Sequence, residues 1–286
     1  MKWLAPAKIN LSLRVLGRRT DGFHDLETMM VPLTLADELT FGNLGGAGAP
    51  GTDFILDCDD PTLPTGPDNL ALKAAALIAR HAPGRIEPTH ITLRKHIPHG
   101  AGLGGGSSDA ATVLLALNEL YRLGLGTPEL AALAAELGSD VPFFVYRSAA
   151  ICRGRGELVE PVRLPRPLAL LLLKPPFPVP TPLAYRRWAG SRELPGVPYK
   201  AQTMSWGELA NDLERPVYEK YLLLAEIKTW LLEQPESVGA LMSGSGSTMF
   251  ALLHDAMTAD ALARRAREVF GELWTCPCLT SVQPCP

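Results

Sequence analysis

The chain has 286 residues, 47% of them hydrophobic, so it can bury a large core as one domain or as two closely joined lobes. Its formal net charge of −3 excludes a global basic field that would hold a nucleic-acid backbone. Any anion that the protein binds must therefore be held locally.

The N-terminus and the cysteines indicate the cellular compartment in which the protein acts. Polar residues interrupt the first sixteen positions, so a signal peptide is not expected, and the longest apolar run, at 168–173, is too short to span a bilayer. The odd number of cysteines makes a poor disulfide framework; they are Cys58, Cys152, Cys276, Cys278 and Cys285. We expect a cytoplasmic protein without a membrane partner, and no metal site at the isolated C-x-C of Cys276 and Cys278.

Alternating apolar and polar residues predict a half-buried strand at 8–15, with Lys8 and Asn10 on its non-core face. Asp21 and Gly22 then indicate a turn between two β-rich runs. The segment 42–53 is expected to form a surface loop.

The next elements alternate between helix and strand. Asp68 or Asn69 is expected to cap a helix that runs to about Arg80. A strand at 90–97 turns Lys95 toward its apolar face, a glycine-rich loop follows, and a long helix begins at the serines after it. Another helix is predicted with Thr127 as N-cap and Pro128 at its first position.

The second half mixes strands and helices without strict alternation. Strands are expected at 149–163 and 168–174, helices at 204–214, 216–233 and 258–270, and a strand–turn–strand unit at 237–253. This pattern favours an α+β fold over a doubly wound sheet.

The loop "PHGAGLGGGSSDAA" at 98–111 allows three interpretations that involve phosphate. A P-loop is excluded because the chain has no Gly-Lys pair. Gly100, Gly102 and Gly105 fit a dinucleotide fingerprint, but a second helix follows where that fold needs a strand. An anion cradle remains, built from backbone N–H groups and the N-terminus of the following helix; the alternative is a tight packing turn.

Three segments together resemble the signatures of the GHMP kinase superfamily: "PAKINLSL" at 6–13, the glycine loop, and "LMSGSGSTMFAL" at 241–252. Within it, "RRTDGFHDLETMM", "LGSDVPFFV" and "NDLERPV" resemble the branch that phosphorylates a cytidine-diphosphate-linked methylerythritol. The resemblance implies a two-lobed GHMP kinase fold. Its N-terminal lobe (1–150) would have a fold that is also found in ribosomal proteins. Its C-terminal lobe (151–286) would be an α/β sandwich that closes the substrate cleft.

The resemblance also implies roles for individual residues. Asp140 would be the base that takes the acceptor proton, and Lys8 would stabilise the developing charge. ATP would be held by Asn69, Lys95, Pro98, His99, Gly100, Ala101, Gly102, Leu103, Gly104, Gly105, Gly106, Ser107 and Ser108. Mg²⁺ would be the second cofactor; the sequence identifies no ligands for it, and Ser107 is the candidate. The substrate would contact Asn10, Phe23, His24, Thr181 and Tyr185. Phe23 stands where the branch has Tyr, and a core aromatic is its alternative role.

The sequence leaves two rival functions open. One is a relative with another substrate, such as a homoserine or mevalonate-type kinase or a diphosphate decarboxylase. The other is a non-catalytic module that binds an anion or RNA. We expect a small-molecule substrate, no nucleic-acid partner, and a monomer or weak homodimer.

Overall fold

The computed structural model describes residues 1–44 and 54–281 and is built on two β-sheets. The part of the predicted surface loop from 45 to 53, and Cys285, lie outside the described residues. The strands are β1 (Lys2–Arg18), β2 (His24–Asn43), β3 (Phe54–Cys58), β4 (Thr89–Arg94), β5 (Ala150–Gly154), β6 (Leu158–Pro161), β7 (Ala169–Lys174), β8 (Gln202–Met204), β9 (Gly207–Asn211), β10 (Ser237–Met242), β11 (Met249–Leu253) and β12 (Trp274–Leu279).

The helices lie between these strands. They are α1 (Leu70–His81), α2 (Gly105–Leu120), α3 (Thr127–Leu137), α4 (Val141–Tyr146), α5 (Thr181–Trp188), α6 (Glu214–Tyr218), α7 (Leu222–Leu232) and α8 (Ala259–Phe270). The mixture of helix and strand in two sheets confirms the predicted α+β fold.

The large sheet has eight strands in the order β3-β4-β2-β1-β9-β8, and β5 and β6 continue from β2. The small sheet has the order β10-β11-β7-β12. Strands from both sides of residue 150 therefore build the large sheet. The division into lobes at 1–150 and 151–286 stays a prediction.

The two sheets share one apolar layer. Ile9 and Leu11 of β1 and Leu33 of β2 belong to the same buried cluster as Leu172 of β7 and Phe250 of β11. The helices α1 to α4 cover the large sheet through a second cluster, and α6, α7 and α8 pack with the small sheet in a third. Lys8 in the middle of β1 thereby lies close to the residues that begin α2 and precede α4.

The first strand differs from its prediction in burial. Every residue from 5 to 11 is buried, so the expectation of a half-buried strand is wrong there. The face that carries Lys8 and Asn10 is covered by the glycine loop and its neighbours, because the backbone N–H of Lys8 donates to the carbonyl of Leu103 at 2.9 Å.

The predicted helix at 204–214 is wrong. The segment forms the short hairpin of β8 and β9, and β9 pairs in parallel with β1 through Ser12 and Ala210. The predicted helix at 216–233 is two helices, α6 and α7, and the prediction missed α5 in the proline-rich crossing. The strand–turn–strand unit and the helix at 258–270 are confirmed as β10–β11 and α8.

Two helix starts test the capping predictions. Asn69 caps α1 as predicted, since its side-chain oxygen accepts from the N–H of Ala71 at 2.9 Å. Thr127 is wrong as the N-cap of α3: Gly126 takes that place, and its N–H donates to Glu129 at 2.7 Å. Pro128 is consequently the second residue of the helix rather than the first.

Candidate active site

One cleft of about 1090 Å³ gathers most of the predicted site residues. Its wall contains Lys8, Asn10, Phe23, His24, Asn69, Lys95, Pro98, His99, the loop from Gly100 to Ser107, Asp140, Thr181 and Tyr185. Ser108 is different: it is fully buried and its hydroxyl has no hydrogen-bond partner among the described residues. Ser107 therefore borders the cleft, whereas Ser108 lies behind it.

The glycine loop enters α2 through left-handed backbone that glycine tolerates best. Gly100, Gly102 and Gly104 have φ of 63°, 75° and 72°. A Cβ on Gly104 would lie 2.8 Å from the ring of Phe144 and 3.0 Å from Cγ of Lys8. The loop thus packs directly on the side chain of Lys8, while the N-terminus of α2 opens into the cleft.

The Gly/Ser turn between β10 and β11 supports this loop through hydrogen bonds. The hydroxyl of Ser243 donates to the carbonyl of Gly102 at 2.9 Å, and the N–H of Thr248 donates to Ala101 at 3.1 Å. Asn211, at the end of β9, donates to the carbonyls of Met242 and Gly244 at 2.8 Å. A structural role of this turn follows directly from these bonds.

A buried lysine and a carboxylate face each other at the centre of the cleft. Nζ of Lys8 lies 3.5 Å from Oδ2 of Asp140, and the two side chains are 5% and 39% exposed. Asp140 stands immediately before α4, and its side chain makes no capping bond to that helix. The carboxylate is therefore free to meet a group that enters from solvent.

Asn10 and Thr28 orient the lysine. Nζ of Lys8 donates to Oδ1 of Asn10 at 2.8 Å, and Nδ2 of Asn10 donates to Oγ1 of Thr28 at 2.8 Å. Thr28 in turn donates to the carbonyl of Ser12. Both amide atoms of Asn10 are thus engaged within the protein, and the sequence prediction missed Thr28 because a threonine in a strand gives no distinctive signal.

Aromatic rings line one end of the cleft. The ring of His24 stacks on Tyr185 with centroids 5.3 Å apart and meets the edge of Trp188 at 6.0 Å. Burial, together with the charge of Arg18, lowers the pKa of His24. Burial and the carboxylate of Asp140 raise the pKa of Tyr185, so its phenol stays neutral.

Phe23 is not a core aromatic, which was its alternative role. Its side chain is about half exposed at the rim of the cleft, and the guanidinium of Arg155 lies 5.0 Å from its ring centroid. Thr181 lies nearby, and its hydroxyl is 2.8 Å from that of Ser245. Arg155 and Trp188 line the same end, and no sequence motif identifies either of them.

The opposite end of the cleft holds Asn69 and Lys95. The amide of Asn69 is engaged on both sides, by Ala71 and by the carbonyl of Pro64. Lys95 lies just beyond β4 and turns inward as predicted, but its partners within the protein are the carboxylates of Asp37 and Asp109. Burial raises the pKa of Asp109 to about 7. The positive charge of Lys95 lowers this pKa, whereas the negative charge of Asp37 raises it, as burial does.

Two features are absent from the described ranges, 1–44 and 54–281: a metal-binding group of side chains and a membrane-spanning helix. No group of three or more His, Cys, Asp or Glu side chains is placed to hold a metal ion. No helix there is long and apolar enough to cross a membrane.

Family models match both halves of the chain. The model for the GHMP kinases N terminal domain matches residues 69–148, and that for GHMP kinases C terminal matches residues 200–272. The first match contains the glycine loop and Asp140. The second contains Asn211 and the Gly/Ser turn.

Curated relatives and solved structures extend this similarity over the whole chain. A 4-diphosphocytidyl-2-C-methyl-D-erythritol kinase from Methylacidiphilum infernorum is 43% identical over 249 residues, 87% of this chain and 84% of the relative. One from a Synechococcus strain is 40% identical over 95% of both chains. A crystal structure of 4-(cytidine 5'-diphospho)-2C-methyl-D-erythritol kinase superposes with a TM-score of 0.78 at 38% identity, over 98% of this chain and all of the other. A homoserine kinase from Cytophaga hutchinsonii shares the fold alone, with a TM-score of 0.67 at 17% identity over 99% of this chain and 95% of the other.

Proposed function

This chain belongs to the GHMP kinase family, and we propose that it transfers the γ-phosphoryl group of ATP to the 2-hydroxyl of 4-diphosphocytidyl-2-C-methyl-D-erythritol. This reaction belongs to the non-mevalonate route to isoprenoid precursors. The observation that carries the proposal is the pairing of Lys8 and Asp140 at 3.5 Å, in the same cleft as the glycine loop. The substrate follows from relatives that are 37–43% identical over most of the chain.

Asp140 accepts the proton of the acceptor hydroxyl in this mechanism. An alcohol is a poor nucleophile, and a carboxylate within hydrogen-bond reach takes its proton as the attack proceeds. The nearby ammonium of Lys8 stabilises the negative charge that develops on the transferred group. Asn10 keeps that ammonium in place, because its amide oxygen accepts one of the three N–H bonds.

The glycine loop and the N-terminus of α2 hold the phosphates of ATP. Backbone N–H groups and the positive end of the helix dipole favour negative charge there. Mg²⁺, bound with the nucleotide, would supply charge neutralisation of the phosphates. The hydroxyl of Ser107 fits this ion, because it borders the cleft and forms no hydrogen bond to a described residue. It is also an oxygen ligand, and Mg²⁺ binds oxygen ligands, of which a protein supplies only a few.

The aromatic end of the cleft takes the cytidine part of the substrate. Phe23, His24 and Tyr185 offer ring faces on which a base can stack, and Thr181 offers a hydroxyl beside them. Phe23 stacks as Tyr would, but it provides no phenol hydrogen bond. The nucleotide end, at Asn69 and Lys95, then holds the adenosine side of ATP, so the two nucleotides enter from opposite ends.

The remaining expectations belong to this proposal. The protein would act in the cytoplasm on a small molecule, without nucleic acid, as a monomer or weak homodimer. Its two lobes would be residues 1–150 and 151–286, with the second lobe closing the cleft through α5.

Release of ADP with different acceptor alcohols tests the proposal. We expect Mg²⁺-dependent ADP release with 4-diphosphocytidyl-2-C-methyl-D-erythritol, and none above background with homoserine, mevalonate or no acceptor. Equal or faster turnover of homoserine or mevalonate would overturn the substrate assignment. An absence of acceptor-dependent ADP release with all three would overturn the kinase assignment itself.

A further inference from the structure

A buried charge cluster lies behind the nucleotide end of the cleft. It consists of Asp37 on β2, Lys95 after β4, and Asp109 in α2, whose side chains are 0%, 8% and 5% exposed. Nζ of Lys95 donates to Oδ2 of Asp37 and, at 2.8 Å, to Oδ2 of Asp109. Three different elements thus meet at one ammonium group.

This cluster is costly to bury, and stability alone does not explain it. With both carboxylates ionised, the cluster holds an excess of negative charge in a low-dielectric interior, where replacement by apolar side chains is often neutral or stabilising. One carboxylate would be enough to neutralise the lysine. The second, Asp109, keeps Oδ1 buried without a hydrogen-bond partner in the described part of the chain.

The second carboxylate limits the orientation of the Lys95 ammonium. An ammonium group has three donors in a fixed tetrahedral arrangement, and two anchored donors determine the direction of the third. Lys95 lines the cleft, and a Cβ on Gly105 would lie 3.4 Å from its Nζ. The ammonium therefore lies directly beneath the first turn of α2, where a side chain at position 105 would cover it.

Asp37 also fixes the corner from which the glycine loop departs. Its Oδ1 accepts the backbone N–H groups of His96 at 2.6 Å and Ile97 at 2.8 Å. Asp59 accepts the N–H of Lys95 at 2.8 Å on the other side. The backbone of the corner 95–97 is held independently of the side-chain ammonium, so Asp109 is free to act on the ammonium alone.

We propose that Asp37 and Asp109 are positioning residues for nucleotide binding: together they hold the Lys95 ammonium so that its third N–H is directed to the ATP in the cleft. This inference rests on the proposed placement of ATP at this end, and it adds a supporting pair of residues to that placement. Neither carboxylate touches ATP, and Lys95 does.

Affinity for ADP, measured by calorimetry, tests the inference together with steady-state kinetics. Lys95→Met and Asp109→Ala should each weaken ADP binding and raise KM for ATP by about tenfold or more, the value of a charge-assisted hydrogen bond. KM for the alcohol substrate should stay within about twofold. Asp109→Asn should restore most of the nucleotide affinity, because an amide oxygen still accepts from the ammonium.

The double variant Lys95→Met/Asp109→Ala decides whether Asp109 acts through Lys95. Its affinity for ADP should equal that of Lys95→Met alone, since residues that act through one contact are not additive. A further loss in the double variant would overturn the inference. So would an Asp109→Ala variant that binds ADP normally.

Lys228→Met is the matched control for the loss of a buried lysine. Lys228 donates to Glu214 in the core of the small sheet, away from the cleft. The Lys228→Met variant should have a lower melting temperature and an unchanged affinity for ADP. If its affinity for ADP is weakened, the effect at Lys95 is explained by general destabilisation, and the inference is overturned. If Asp109→Ala does not fold, the comparison of Lys95→Met with the double variant still decides whether Asp109 acts through Lys95. Wild-type protein that binds no ADP would overturn the proposed placement of ATP instead.

Discussion

Lys8 shows how a single residue acquires a chemical role from its surroundings. Its strand would expose it to water in an isolated sheet, but the glycine loop and the turn at 243–247 cover that face. A buried ammonium needs partners, and among the described residues Lys8 has only Asn10 and the more exposed Asp140. The ammonium of Lys8 can therefore bind a further negatively charged group that enters from solvent. Phosphoryl transfer requires such a contact.

His24 should make stability depend on pH. Burial and the charge of Arg18 hold its pKa below the ordinary value of 6.5, so the unfolded chain binds more protons than the folded one between these two pKa values. The free energy of unfolding should consequently fall as the pH is lowered through this window. Melting temperatures at pH 8 and pH 5.5 check this: the drop should be smaller for His24→Gln than for wild type.

His81→Gln is the control for this measurement, since His81 is exposed on the last turn of α1 and lies outside the cleft. Its drop in melting temperature should match that of wild type. An equal drop for wild type and His24→Gln would contradict the link between burial of this imidazole and stability.

At the scale of elements, the loop at 98–106 and the turn at 243–247 form one unit. A Cβ on Gly102 would lie 2.3 Å from the carbonyl oxygen of Ser243 and 2.9 Å from that of Gly246. Only a glycine permits this approach of two backbones, and the shape of the loop depends on it. The resemblance to a family identified both segments, but only the structure shows that they touch.

Gly102→Ala should separate these two elements. Gly84 has nearly the same φ, 72° against 75°, but nothing within 4 Å of its Cβ position. Gly84→Ala should cost about 1–2 kcal/mol from the left-handed backbone alone, whereas Gly102→Ala should cost about 1–3 kcal/mol more through overpacking. Chemical denaturation measures this difference.

The kinetic consequence is equally specific. Gly102→Ala should raise KM for ATP several-fold, while Gly84→Ala should leave it unchanged. Equal stabilities and equal KM values for the two variants would show that the contact between the loop and the turn is unimportant for nucleotide binding.

The elements that the sequence predicted correctly have strong local signals. Asn69 before α1, the glycines before α2 and the alternation in β1 each specify their structure within a few residues. The segment 204–214 has no such signal. Its residues suit a helix, and it becomes β9 because β1 offers an open edge that is distant in sequence.

Short elements were missed for a related reason. Helix α4 has six residues and α5 has eight, too few for a periodic pattern to stand out. Two predicted site residues belong to these segments, Asp140 before α4 and Tyr185 within α5, and both line the cleft. The burial of Asp37 and Asp109 around Lys95, by contrast, required knowledge of three-dimensional packing.

At the scale of the whole molecule, the cleft lies where the two sheets meet. The shared apolar layer joins β1 and β2 to β7 and β11, so the strand that carries Lys8 and the strands that flank the supporting turn pack on one core. The aromatic end, by contrast, depends on α5, which lies in the second half of the chain. One end of the cleft is thus built on the shared core, whereas a helix from the second half of the chain completes the other end.

The central claim is that Asp140 accepts the proton of the substrate hydroxyl while the loop and Lys8 hold the phosphates. The most direct test compares turnover and ADP affinity in Asp140→Asn. We expect turnover of 4-diphosphocytidyl-2-C-methyl-D-erythritol to fall by about 10²-fold or more, and ADP affinity to stay within about twofold of wild type. A variant that keeps more than about a tenth of wild-type turnover would contradict the assignment of Asp140 as the base.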